Sequence, residues 1–278
     1  MSYLKSDIKK LYKSKLVKYF LIIGTAVMVL SAVFSYVESI RYSRGMSCMG
    51  MQPYMYWILM PASGIGNTVY FAVFWVLPVV ATGLVFFDEQ NSSMLSYLTV
   101  RGKRYKYYWS KAISLFIVAF VNIFGMFLIN IFLTNILFDS SSPRTEQFSY
   151  IIPGERTFAY PLFEKNPIYV MLLYAFLNSL AIALMSLAVF AVHAIIKLKN
   201  RYIALVVPAV LIYLAQYLSE WMHRDNLNMN LGIIIQPMGV SALLNPITTD
   251  NVLLAYGTLA YIVAILLFAG FLREREIM

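Results

Sequence analysis

Few residues in this chain are of the types that perform chemistry, and their spacing decides against each chemistry in turn. A loop that cradles phosphates needs the pattern G-x-x-x-x-G-K-[ST], and the Gly102-Lys103 pair lacks both the preceding glycine and the following hydroxyl. The chain is therefore not expected to hydrolyse ATP itself. Zinc chemistry needs clustered ligands, whereas the two histidines, His193 and His223, lie far apart in sequence and Cys48 is the single cysteine. Glu220, His223 and Asp225 form a weak metal pattern or an ordinary solvated loop; no metal is expected. Cys48 has no internal disulfide partner, which leaves a free thiol or a bond to another chain. Serines are numerous, but none has an evident paired base, so no catalytic residue is assigned.

The elements that carry these residues are apolar. Of 278 residues 60% are hydrophobic and only 13% charged, outside the range of soluble domains. Uncharged runs occupy 19–37, 69–87, 112–138, 168–196, 202–219 and 253–272, and none of the 35 charged residues falls inside them. Each run meets or approaches the roughly 20 residues a membrane helix requires. Sixteen of the 22 Lys and Arg residues fall on one side of the resulting topology and six on the other. Basic residues favour the cytoplasm, so the expectation is an all-α protein of six spans with both termini inside. The net charge of +9 then reports orientation, with no nucleic-acid partner. The first run is expected to be retained as a span because charged, bulky residues follow it.

In chain order, 1–18 reads as a cytoplasmic interfacial helix and 19–272 as the six-span domain, with 273–278 as a cytoplasmic tail. Leu4, Ile8, Leu11, Tyr12 and Leu16 share one face of the first helix, set to enter the acyl boundary while its lysines meet anionic lipid heads. Residues 54–60, between Pro53 and Pro61, are too few to span and suit the outer interface, where Tyr and Trp are favoured. The third run carries Asn122, Asn130 and Asn135, which either bond neighbouring helices or face a path for cargo. Asn122, Asn130 and Gln216 are the path candidates. Ala175, Ser179 and Ala183 recur every fourth residue, a small-residue stripe for helix packing. His193 reads as a packing or interface residue. The stretch 231–244, broken by Gln236-Pro237, has the length of a re-entrant or interfacial outer segment.

Ion-coupled transporters usually carry ionisable residues within their spans, and these runs hold no Asp, Glu, Lys or Arg. Energy for transport, if the chain transports, is then expected to enter from outside the chain. The candidate entry point is the cytoplasmic loop 88–111, which opens with Asp88 and Glu89 and ends in five basic residues. Asn91 or Ser92 can cap a short helix whose Met94, Leu95 and Leu98 present one apolar face.

Six spans, a basic amphipathic first helix and this acidic-then-basic loop together resemble the membrane-spanning permease of a type-2 ABC exporter. The resemblance covers nearly the whole chain in topology. Its motif content lies in Glu89, Ser92, Ser93, Leu95, Leu98, Arg101, Arg104, Tyr108 and Lys111, and Asn91-Ser92 departs from the Gly-Thr common in that family. Gln236-Pro237-Met238 is similar to the family's outer re-entrant region.

The resemblance implies that Glu89, Ser92, Ser93, Met94, Leu95, Leu98, Arg101 and Arg104 form a coupling helix docking on a separate ATPase. It further implies two such ATPase subunits binding ATP and Mg, a second permease copy or paralogue, membrane lipids around the assembly, and a bacterial plasma membrane. The expected cargo is an amphipathic or hydrophobic peptide or drug, moved outward. A lipid or lipid-linked glycan exporter, a scaffold or sensor that transports nothing, and a membrane enzyme are the other readings.

Overall fold

The computed structural model describes residues 2–43, 53–59, 69–70, 87–88, 104–138, 158–196, 200, 203, 206, 210 and 249–276. The regular elements among the described residues are helices: α1 (Ser2–Lys13), α2 (Lys15–Ser43), α3 (Pro53–Tyr56), α4 (Arg104–Leu137), α5 (Tyr160–Lys165), α6 (Pro167–Ile195) and α7 (Thr249–Glu276). Four of them hold stretches long and apolar enough to cross a membrane, as in a multi-pass membrane protein: Lys15–Arg41, Lys106–Leu137, Pro167–Ile195 and Val252–Arg273. The runs 69–87 and 202–219 and the stretch 231–244 lie outside the described residues, apart from isolated positions in the two runs.

Helices α2, α4 and α7 continue into the charged sequence beside the apolar runs that announced them, whereas α6 matches its run to within a residue at each end. Charge ends an uncharged run without ending a helix, because the backbone ladder does not depend on side-chain polarity. The 34 residues of α4 extend about 51 Å at roughly 1.5 Å per residue, well beyond a hydrocarbon core of about 30 Å. Tilt or projection from the core accommodates that excess.

Paired contacts fix the helix directions. Met28 meets Asn130 and Tyr36 meets Phe138, so α2 and α4 run side by side in the same direction. Tyr108 packs on Phe190 while Phe120 packs on Phe176, so α6 runs opposite to α4. Val252 packs near Leu177 and Gly270 near Ala191 and Ala194, which makes α7 parallel to α6. Two helices therefore point one way and two the other. The start of α4, the ends of α6 and α7, and helix α1 gather at one end of the bundle, called the inner end below after the expected topology, with the opposite end called the outer.

Helix α6 is the centre. In its most apolar window 61% of residues are buried, against 33% for α2 and 22% for α7. Asn166 starts it by accepting the Ile168 N–H at 3.0 Å, with Pro167 in the first turn where a missing N–H costs nothing. Ser179 and Ser186 donate to the carbonyls of Ala175 and Ile182 one turn back, at 2.6 and 3.0 Å. Those hydroxyls are thus satisfied within α6, and its small residues can meet apolar neighbours. On α4, Phe116, Phe120 and Phe124 stack as a ladder, and Phe176 of α6 packs edge-on against the upper two.

Two segments bury more apolar surface against the bundle than their spacing suggested. Helix α1 buries Leu11 fully and packs Ile8 into the core, chiefly against α4, so part of its apolar face meets protein and not lipid. Residues 53–59 are drawn into the bundle as well: Tyr54, Trp57, Ile58 and Leu59 are at most 2% exposed. A short apolar stretch suits an interface and an interior equally on composition. Bonds made to it by other helices decide the matter here.

Candidate functional site

The inner end is where the loop 88–111 meets the bundle. Glu89, Ser92, Ser93, Met94, Leu95, Leu98 and Arg101 lie outside the described residues; Arg104 opens α4. The residues that bracket them are placed. Phe87, just before the loop, has its ring centroid 6.4 Å from that of His193, near the end of α6. Tyr108, near the loop's other border, has its ring 5.0 Å from Phe190, one turn earlier on α6. Both borders of the loop thus rest on the last turns of the same helix.

From Tyr108 onward the start of α4 is joined to its other neighbours. The Tyr108 hydroxyl donates to the Leu267 carbonyl of α7 at 2.9 Å. A carbonyl has two lone pairs, so this bond adds to the helix ladder without breaking it. Phe271 of α7 sits 6.2 Å from the Tyr108 ring and 6.1 Å from Trp109. Ser110 donates to the Asp7 carboxylate of α1 at 2.8 Å, and Asp7 is only 4% exposed. Farther along, the Tyr12 hydroxyl donates to the Asn122 side chain at 3.0 Å. Lys111 is fully buried beside this group, with its carbonyl accepting from Ser114.

Gly270 is what lets the three helices come this close. A Cβ there would stand 2.7 Å from the Tyr108 hydroxyl and 3.4 Å from both the Ala191 carbonyl and the Ala194 methyl. Real Cβ contacts of 2.7 Å do not occur, so the position needs glycine while Tyr108 is bonded to Leu267. Small residues on both helices allow the close approach, as is common for helices in lipid.

The remaining sequence candidates fall elsewhere. Ala175, Ser179 and Ala183 are all fully buried on α6. Asn130 is fully buried far from the inner end, where its side chain accepts the Ile58 N–H at 3.1 Å and donates to the Met28 carbonyl at 2.8 Å. Asn122 keeps its amide nitrogen buried with no hydrogen-bond partner among the described residues. Gln216 lies outside the described residues. Among those described, no cluster of three His, Cys, Asp or Glu side chains could hold a metal ion.

Asp7, Ser110 and Gly270 were not foreseen as functional. Asp7 did carry a signal: it is the one acid in a lysine-rich helix, and it falls next to Ile8 and one turn from Leu11, on the face they bury. No protein-family model, curated protein or solved structure matches the chain. The inner end must therefore be read from its own geometry.

Proposed function

We propose that this chain is the membrane permease of an ATP-driven exporter of the type-2 ABC class, driven by a separate ATPase through the loop 88–111. The observation that carries the reading is the placement of the loop's two borders, Phe87 and Tyr108, on the last turns of α6, with Tyr108 and Ser110 bonded onward to α7 and α1. A push on the loop would reach three helices through contacts of a few ångströms. The loop's acid, Glu89, and its apolar positions Met94, Leu95 and Leu98 would engage the ATPase, with Ser92, Ser93, Arg101 and Arg104 around them.

Helix directions support six spans. Because α2 and α4 are parallel, the chain has to return between them, and the same holds between α6 and α7. The two remaining apolar runs, 69–87 and 202–219, fall one in each interval. Tyr70 contacts Phe127 and Asn178 while Phe87 contacts His193, so the borders of the first of these runs touch opposite parts of the bundle. Both terminal helices, α1 and α7, reach the inner end, in keeping with cytoplasmic termini.

The working assembly is then two permeases, twelve spans in all, with two ATPase subunits binding ATP and Mg. ATP binding that favours one of two bundle arrangements tilts the equilibrium between inward- and outward-facing states. The uncharged spans suit an amphipathic or hydrophobic cargo such as a peptide or drug. Affinity purification of the tagged chain from its native membrane tests the reading. A stoichiometric ATPase should come with the wild type and be lost from Leu95→Asp; absence of any ATPase from the wild type would sink it.

A further inference from the structure

We propose that residues 53–59 form a wedge that closes the outer end of the bundle and is latched there by Asn130. The segment is buried although its length cannot span, and it contacts α2, α4 and α6. Its depth follows from its partner. Asn130 lies about 10 Å along the axis from Leu137 at roughly 1.5 Å per residue, so the Ile58 amide it binds sits well below the outer end of α4.

The latch is one side chain with both functions of its amide engaged. Its oxygen holds the Ile58 N–H of the wedge and its nitrogen holds the Met28 carbonyl of α2. A carboxamide presents its acceptor and its donor on separate atoms without charge, so each can serve a different segment. Rings complete the seat: Tyr56 lies flat on Phe138 at 4.6 Å, and Tyr54 meets Phe163 edge-on at 5.0 Å. These contacts pin the wedge to the end of α4 and to α5.

The seat is also incomplete. The indole N–H of Trp57, fully buried, has no hydrogen-bond partner among the described residues. Buried polar groups in settled packing are nearly always paired. A donor left unpaired in the wedge offsets part of what the latch contributes, so the wedge can leave when the bundle rearranges. In an alternating-access cycle, outward opening would then require Ile58 to part from Asn130. That last consequence rests on the permease reading; the latch does not.

Cysteine accessibility tests it on the full chain in membranes. In a Cys48→Ser background, Ile58→Cys should react with an outer-side, membrane-impermeant maleimide at least ten-fold more slowly than Cys48 in the unaltered chain. Adding Asn130→Ala should speed the reaction at least ten-fold, and Tyr56→Ala, which removes the ring on Phe138, about three-fold. Monodisperse elution checks that each variant assembles, and Tyr56→Ala decides the matter if Asn130→Ala does not. Rapid labelling with Asn130 and Tyr56 intact, or no acceleration in either assembled variant, would overturn the wedge. Acceleration in Asn130→Ala with no response to ATP in the ATPase complex would uphold the latch and count against the permease reading.

Discussion

The two ends of α4 are held by different arrangements of side chains. At its outer end Asn130 bonds to main-chain atoms on two other segments, a geometry fixed by the backbones it joins. At its inner end the links run from side chains: a hydroxyl to a carboxylate, another hydroxyl to an already bonded carbonyl, and aromatic rings at 5.0 to 6.2 Å. One amide bonded on both sides ties two segments at once, whereas at the inner end each side chain makes a single hydrogen bond and can follow one partner through rotamer changes. One end is therefore suited to define a state and the other to receive a displacement.

Substitutions that strike only one end can break or sharpen this contrast. The largest effect is expected from Asn130→Leu, which strands the Ile58 N–H and removes the second bond on the Met28 carbonyl. Leaving that N–H unpaired and the carbonyl with its helix bond alone costs about 3 kcal/mol, to be seen as a lower thermal midpoint in detergent. At the inner end Ser110→Ala takes a hydroxyl from a buried carboxylate, an expected loss of about 2 kcal/mol by the same assay. If the inner loss exceeds the outer one, the contrast is reversed.

A double-mutant cycle at the helix crossing is more discriminating. Gly270→Ala should cost about 1 kcal/mol in the wild type, because the new methyl displaces the Tyr108 hydroxyl. In a Tyr108→Phe background the same change should cost less than half as much, since the atom it strikes is gone. Equal costs in both backgrounds would mean that Gly270 is needed for Ala191 and Ala194 and not for Tyr108. The smallest effect, about 0.5 kcal/mol or less, is expected for Tyr12→Phe, whose bond to Asn122 is exposed.

Much of the architecture could be read in advance where it depends on one segment alone. The absence of charge in 19–37, 112–138, 168–196 and 253–272 located the four long helices, because lipid tolerates few charges whatever the neighbours are. Ala175, Ser179 and Ala183, spaced by four and so on one face, are all buried. Burial of 53–59 could not be read in advance, because a seven-residue apolar stretch is decided by partners: Asn130 lies 72 positions from Ile58. Gly270 was equally hidden, its requirement arising from a tyrosine on another helix. The loop residues from Glu89 to Arg101 rest on sequence reading alone.

The central claim is that the inner end of α4, with the loop before it, faces the compartment that holds ATP. The most direct measurement uses the chain's lone cysteine and one exposed lysine. Cells carrying either the natural Cys48 or Lys106→Cys in a Cys48→Ser background are treated with a membrane-impermeant maleimide, intact or after permeabilisation. The account predicts labelling of Cys48 in intact cells and of the position-106 thiol only after permeabilisation. Labelling at position 106 in intact cells would place the loop on the wrong side for an ATPase and contradict the account.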